Sequence, residues 1–146
     1  MQSEYSATIP TWGLASSPLY EEGLIIIQAG GRLGSLAAFD AESGALRWTA
    51  GTDPVGYSSP VAVTAAGVRQ IVAVSGTSVL GVEPTRGTIL WSQAWRTDHN
   101  ANIAMPLVIG DYVFLSSSYG KGCMLVQLSP ADSGSVPGPV SSRVVY

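Results

Sequence analysis

The densest group of chemically capable side chains is Arg96-Thr97-Asp98-His99-Asn100-Ala101-Asn102. Asp98 and His99 are an acid and a base of the kind that exchange a proton near neutral pH or ligate a metal. Their adjacency works against a joint role, because neighbours on an extended chain point to opposite sides. A lone histidine in a polar loop is ordinarily solvated. Ser58 and Ser59 have no His or Asp close by in sequence, so spacing gives no support to a serine nucleophile. No Asp/Glu run has the spacing of a calcium loop. Tyr119-Gly120-Lys121-Gly122 lacks the spacing of a phosphate loop and reads as a hairpin turn. Gly30-Gly31-Arg32-Leu33-Gly34 joins two strand-like runs, whereas a dinucleotide fingerprint opens a helix. The one cysteine, Cys123, lies in the apolar run Cys123–Val126 and reads as a buried structural thiol. The expectation is a chain with no assembled catalytic residue and no metal site.

Binding is a different matter. Trp12, Tyr57 and Asn102 stand 45 residues apart in turn, each just ahead of an apolar run. Such a set could line a rim, stacking and hydrogen-bonding to a ligand; otherwise the three pack beneath loops. With Asp98, His99 and Asn100 they are the candidate binding residues. Composition narrows the ligand. The net charge is −3 and Lys121 is the single lysine among 146 residues. Nucleic acid and a basic membrane-surface helix are thereby excluded, for both need a stripe of cations. No apolar run approaches the ~20 residues of a spanning helix.

What must position these residues is a repeat. Ala38-Phe39-Asp40-Ala41-Glu42-Ser43-Gly44-Ala45-Leu46-Arg47-Trp48 is echoed by Gly81-Val82-Glu83-Pro84-Thr85-Arg86-Gly87-Thr88-Ile89-Leu90-Trp91. Acid, glycine and tryptophan are each displaced by 43 residues. A fixed period of this length signals a repeat architecture. Each unit opens on small residues and a proline: Ser16-Ser17-Pro18, Ser58-Ser59-Pro60 and Ala104-Met105-Pro106. Glycine-bearing turns then separate runs at Leu24–Gln28, Gln70–Val74 and Tyr112–Ser116. A third run follows at Ser35–Asp40, Ser78–Glu83 and Cys123–Leu128. A fourth follows at Ala45–Thr49 and Thr88–Ser92, with Ser142–Tyr146 in the corresponding place at the end. The 17 glycines and 9 prolines leave no room for a long helix.

Four short strands per period describe a blade of a β-propeller. A β-sandwich also has short strands and tight turns, but gives no reason for Trp48 and Trp91 to recur at one phase. The expected fold is all-β, a partial propeller of about three four-stranded antiparallel blades. They span about 12–50, 56–95 and 101–146, with 1–11 as an N-terminal extension. In the shared phrase Asp40 and Glu83 end the third strand, and Gly44 and Gly87 make the turn. Trp48 and Trp91 cover the outer edge strand against the next blade, and Ala38 and Gly81 leave room for the rings.

The phrase Ala-x-Asp-x-x-x-Gly-x-x-x-Trp resembles the tryptophan-docking motif of pyrroloquinoline-quinone (PQQ) repeat propellers. That family includes quinoprotein alcohol dehydrogenases and the propeller lipoprotein of the bacterial outer-membrane β-barrel assembly machinery. It also includes PQQ-like proteins whose blade openers resemble Trp12–Pro18 and Gly56–Pro60. The resemblance covers about residues 12–128 and implies a bacterial, periplasmic or secreted home, although Met1–Ser6 lacks the character of an export signal. In the dehydrogenases it implies PQQ and calcium, held under a vicinal disulfide, over a tryptophan platform and by acidic and Asn ligands. This chain has no Cys-Cys pair. The third unit keeps a turn at Gln127–Gly134 but no tryptophan comes after it, and Ser135–Val140 reads as a loop. The leading expectation is a non-catalytic binding or scaffold module; the alternative is part of a quinoprotein-type oxidoreductase whose cofactor site lies elsewhere. Rings close with four to eight blades. The expected partners are therefore a protein or polymer ligand, missing blades, or a second copy.

Overall fold

A computed structural model describes residues 9–30, 33–118, 120–131 and 140–146. Among them the chain is all-β, with three four-stranded antiparallel sheets, each in simple sequence order. Sheet 1 holds β1 (Leu19–Glu21), β2 (Leu24–Gln28), β3 (Leu36–Asp40) and β4 (Leu46–Ala50). Sheet 2 holds β5 (Val61–Ala65), β6 (Val68–Val74), β7 (Ser78–Val82) and β8 (Ile89–Ala94). Sheet 3 holds β9 (Leu107–Ile109), β10 (Tyr112–Ser117), β11 (Gly122–Pro130) and β12 (Val140–Val144). This is a partial propeller of about three blades, and the sheets do not close into a ring.

Each opener proline immediately precedes a first strand, where its missing N–H costs no ladder bond. Two-residue hairpins join first to second strands. Glu22-Gly23 and Ala66-Gly67 take positive φ at both positions (50° and 78°, 52° and 73°). That twist matches the flanking strands. In sheet 3 the pair is Gly110-Asp111, with glycine at the first, left-handed position. The meander gives every sheet two ends. Hairpins and the Asp40–Gly44 type of turn gather at one, the turn end. The β2–β3 type of loop and the links between sheets gather at the other, the link end.

The sheets stack face to face. Leu24, Ile26, Leu36, Ala38 and Trp48 pack on Ile71, Ala73, Leu80 and Val82 of sheet 2. The other face of sheet 2, with Val72, Val74, Val79, Leu90 and Trp91, packs on Val113, Leu115, Met124, Val126 and Leu128 of sheet 3. Strands of the middle sheet are therefore apolar on both faces, as the burial of all five residues of β7 shows. Cys123 corrects the expectation of full burial. It is half-buried, because it pairs with Ser116 on the face of sheet 3 that no sheet covers.

Candidate functional site

The three segments leading into the sheets meet at the link end and are bonded in series. Tyr57 Oη accepts from the Trp12 backbone N–H at 3.3 Å, and the Tyr57 N–H donates to Asn102 O at 2.9 Å. The Ser17 N–H also donates to Ser59 Oγ, at 2.8 Å. The 45-residue spacing of Trp12, Tyr57 and Asn102 thus marks equivalent places on consecutive links. Their fates differ. Asn102 is 2% exposed; its Nδ2 donates to Ser75 O (2.7 Å) and Trp95 O (3.1 Å), and its Oδ1 accepts from Thr97 Oγ1. It fastens the third link to sheet 2 and presents nothing to solvent. Tyr57 is buried as well, while Trp12 is 58% exposed. The Trp12 ring stands 5.6 Å from that of Tyr57 and 6.2 Å, edge-on, from that of His99.

His99 belongs to a single 3-10 turn, Asp98–Asn100. His99 and Asn100 have φ of 58° and 53°, two successive non-glycine residues in the left-handed region. Such backbone is strained and persists only where the surroundings impose it. Here the Asn100 and Ala101 N–H groups bond back to Thr97 and Asp98 carbonyls, and Asn102 anchors the chain just beyond the turn. The result projects the exposed His99 beside Trp12. A cleft of about 470 Å³ opens there, lined by Ile9, Pro10, Thr11, Gly30, Thr52–Val55, His99 and Asn100. Asp98 is exposed and is not among the lining residues.

Two residues that sequence reasoning passed over build this end. Gln28, 3% exposed, closes the apolar β2 run. Its Nε2 donates to Ser58 O (2.6 Å) and Val74 O (2.9 Å), and its Oε1 accepts from the Gly56 N–H (3.0 Å). One amide therefore joins sheet 1, the second link and sheet 2. Asp53 does the same with charge: its Oδ2 accepts from the hydroxyls of Ser75 (2.7 Å) and Ser78, and its N–H donates to Ser35 Oγ (2.8 Å). Burial alone would raise the Asp53 carboxyl; bonds from Ser78, Ser75 and Thr77 and the Arg96 charge outweigh it and hold it below its ordinary value. A polar Gln ending an Ile run and an Asp before Pro54 were the available signals.

The shared phrase works at the outer strand and the turn end. Asp40 Oδ1 accepts from the Ser43 N–H and Oγ, both at 2.8 Å, and the Glu83 carboxylate accepts from Thr85 Oγ1 (2.7 Å) and the Arg86 N–H (2.7 Å). The acids brace their turns. Trp48, buried, donates from Nε1 to Pro84 O of the next sheet's turn at 2.8 Å and lies over Gly87. A Cβ on Gly87, whose φ is 73°, would come 2.6 Å from Trp48 Cε3. Trp91, also buried, donates instead to Gln70 Oε1 of its own sheet at 2.6 Å, over Gly81. Ala38 and Gly81 are the direct cross-strand partners of the two indoles, and Gly44 turns the chain with φ 71°. The corresponding turn in the third unit, through Asp132, Ser133 and Gly134, lies outside the described residues, as do Gly31, Arg32 and Tyr119. Lys121 of that last hairpin sits 4.7 Å over the Trp95 ring.

A family model described as outer membrane protein assembly factor BamB, of the PQQ repeat type, matches residues 4–143. The chain belongs to this PQQ repeat family. No curated protein matches it. Among the described residues of this PQQ repeat chain no three of His, Cys, Asp and Glu stand close enough to share a metal. Asp40, Glu83 and Asp53 are each engaged in bracing turns and links. These three carboxylates do not fit a calcium–quinone site. Among the described residues no helix is long and apolar enough to cross a membrane.

Proposed function

We propose that this chain is a non-catalytic propeller module that binds a partner polypeptide at its link end. The observation that carries the reading is Trp12. A tryptophan 58% exposed, steadied by Tyr57 and edge-on to His99, flanks a cleft of mixed apolar and polar lining. Exposed, rigidly held indoles are characteristic anchors of protein interfaces. Ile9, Pro10 and Val55 supply apolar contact, and Asp53, His99 and Asn100 supply directional bonds. That combination suits an extended segment with apolar side chains and free amides. The family description, an assembly factor, favours a partner-binding scaffold over an enzyme, and a periplasmic setting.

The test is a titration of labelled twelve-residue peptides, spanning apolar, acidic, basic and proline-rich compositions, into the chain and into Trp12→Ala. The expected result is saturable binding of the apolar-rich, uncharged set, weakened at least tenfold in Trp12→Ala with no change in unfolding midpoint. Absence of binding across the panel, or binding indifferent to Trp12, overturns the proposal.

A further inference from the structure

We propose that the groove between the outer strands of sheets 1 and 2 takes a short extended polypeptide segment, which adds to the free edge of β4 and meets Arg96 with a carboxylate. The outer strands meet differently at the two interfaces between sheets. Between sheets 2 and 3, Gln93 of β8 bridges to β12, its Nε2 donating to Ser142 O (3.2 Å) and Ser142 Oγ (3.0 Å). Its counterpart in sheet 1 is Ala50, 43 residues earlier, which stands opposite Leu36 as Gln93 stands opposite Val79. An alanine is too short to reach the next outer strand. A groove of about 250 Å³ is left beside β4, floored by Leu80, Ile89, Ser92 and Ala94. Ser92 and Ala94 pair with Leu80 and Ser78 and so share the face that packs on sheet 1. Both are nevertheless exposed, and Ile89 is 37% exposed, because sheet 1 has no fifth strand to lie over them. The groove thus lies between two complete four-stranded sheets.

Backbone, shape and charge select the occupant. β4 is the outermost strand of sheet 1, so its outward N–H and C=O groups have no ladder partner. An extended segment bonded to them lies directly over β8 and covers its exposed face. The bulge at Arg47 confines regular pairing to Trp48 and beyond, which keeps the segment short. The floor from Ile89 to Ala94 is about 15 Å long and matches about five extended residues. Every second side chain of such a segment faces Ile89 and Ala94, where a small apolar one fits, and the others face solvent. Charge is set by Arg96 at the link end of the groove. Arg96 is exposed and, among the described residues, forms no ion pair. Asp53 attracts it without bonding to it, for Asp53 Oδ2 is taken by the hydroxyls of Ser75 and Ser78. A carboxylate on the incoming segment gives the guanidinium a partner with two oxygens. The groove adjoins the cleft beside Trp12 at Thr52 and Asp53 and is otherwise distinct from it.

The experiment is a fluorescence-anisotropy titration with labelled hexapeptides of alternating threonine and valine, carrying glutamate or lysine at one end, in either orientation. The proteins are the parent chain, Arg96→Glu, Ser92→Trp and Trp12→Ala, each checked for folding by circular dichroism. The expected result is saturable binding of a glutamate-ended peptide to the parent, at least tenfold tighter than its lysine-ended equivalent. N-methylation of alternate backbone amides should abolish it. Arg96→Glu should reverse the charge preference, Ser92→Trp should fill the groove and block binding, and Trp12→Ala should change nothing. No binding of the glutamate-ended peptides to the folded parent overturns the proposal. So does binding that survives N-methylation, keeps its charge preference in Arg96→Glu, or is lost in Trp12→Ala, which would put the peptide in the cleft. If Arg96→Glu unfolds, Arg96→Ala replaces it and must bind both peptides equally.

Discussion

Asp53 shows how much one side chain can hold at the junction of two sheets. Its carboxylate is stabilised in the folded chain by Ser75, Ser78 and Thr77, so its folded pKa is depressed. Bonds from Ser43 depress that of Asp40; at Glu83 burial pushes upward and bonds from Thr85 and Arg86 prevail. A depressed folded pKa means stability that is full above the unfolded value and is lost as pH falls through the folded one. Unfolding midpoints in urea should therefore be flat from pH 7 to about 5 and decline steadily below about 4. Asp53→Asn should cost about 1 kcal/mol at pH 7 and shallow that decline. An unchanged acid limb in the variant would remove Asp53 from the fastening. His99 belongs to the same scale. Its left-handed backbone is a cost that glycine would not bear, so His99→Gly should leave stability within about 1 kcal/mol of the parent or raise it. A larger loss by denaturant titration would mean the exposed ring is holding the turn.

At the scale of elements, the outer strands separate the features a sequence displays from those it hides. Repeat, strand order and the opener prolines were legible because period, glycine and proline leave a mark in one dimension. The β-bulges were not. Ala38 pairs with Trp48 but Phe39 with Leu46, and Gly81 with Trp91 but Val82 with Ile89, so Arg47 and Leu90 are extra residues. A bulge reverses the side on which the next residue falls. It thereby turns each indole away from the face of Leu46 or Ile89 and toward the following sheet. Nothing in Leu-Arg-Trp or Ile-Leu-Trp announces this, since it arises from the cross-strand partner. The same holds for the indole acceptors: Pro84 O is 36 residues from Trp48, and Gln70 Oε1 is 21 from Trp91. Trp91→Ala should destabilise by about 3–5 kcal/mol, measured by chemical denaturation, and a loss under about 1 kcal/mol would contradict its packing between sheets. Gly87→Ala combines a left-handed φ with a clash against the Trp48 ring and should cost about 2–3 kcal/mol. The candidate site was half legible. The spacing of Trp12, Tyr57 and Asn102 singled out equivalent link positions. It could not distinguish an exposed ring from a buried amide, because burial depends on Gln28, Asp53 and Ser75 from other segments.

For the whole molecule, the two ends of the stack have different characters. At the turn end Glu21 and Arg69 pair with two bonds of 2.7 and 2.9 Å, and Asp111 accepts from the Ala66 N–H at 2.6 Å. These bind neighbouring sheets and leave short, saturated turns. The link end carries the cleft, the exposed indole and the left-handed His99-Asn100 pair. A stack braced at both ends, with a cleft open at one of them, suits the proposed docking of a partner on loops. The most direct measurement places a photoreactive benzophenone side chain at the exposed cleft residues Thr11 and Thr52 and, at the opposite end, at the exposed Arg86. Cross-linked products from cells producing the chain are then mapped. Binding at the link end predicts a common adduct from positions 11 and 52 and none from position 86. The same adduct from position 86, with nothing from 11 or 52, would contradict it.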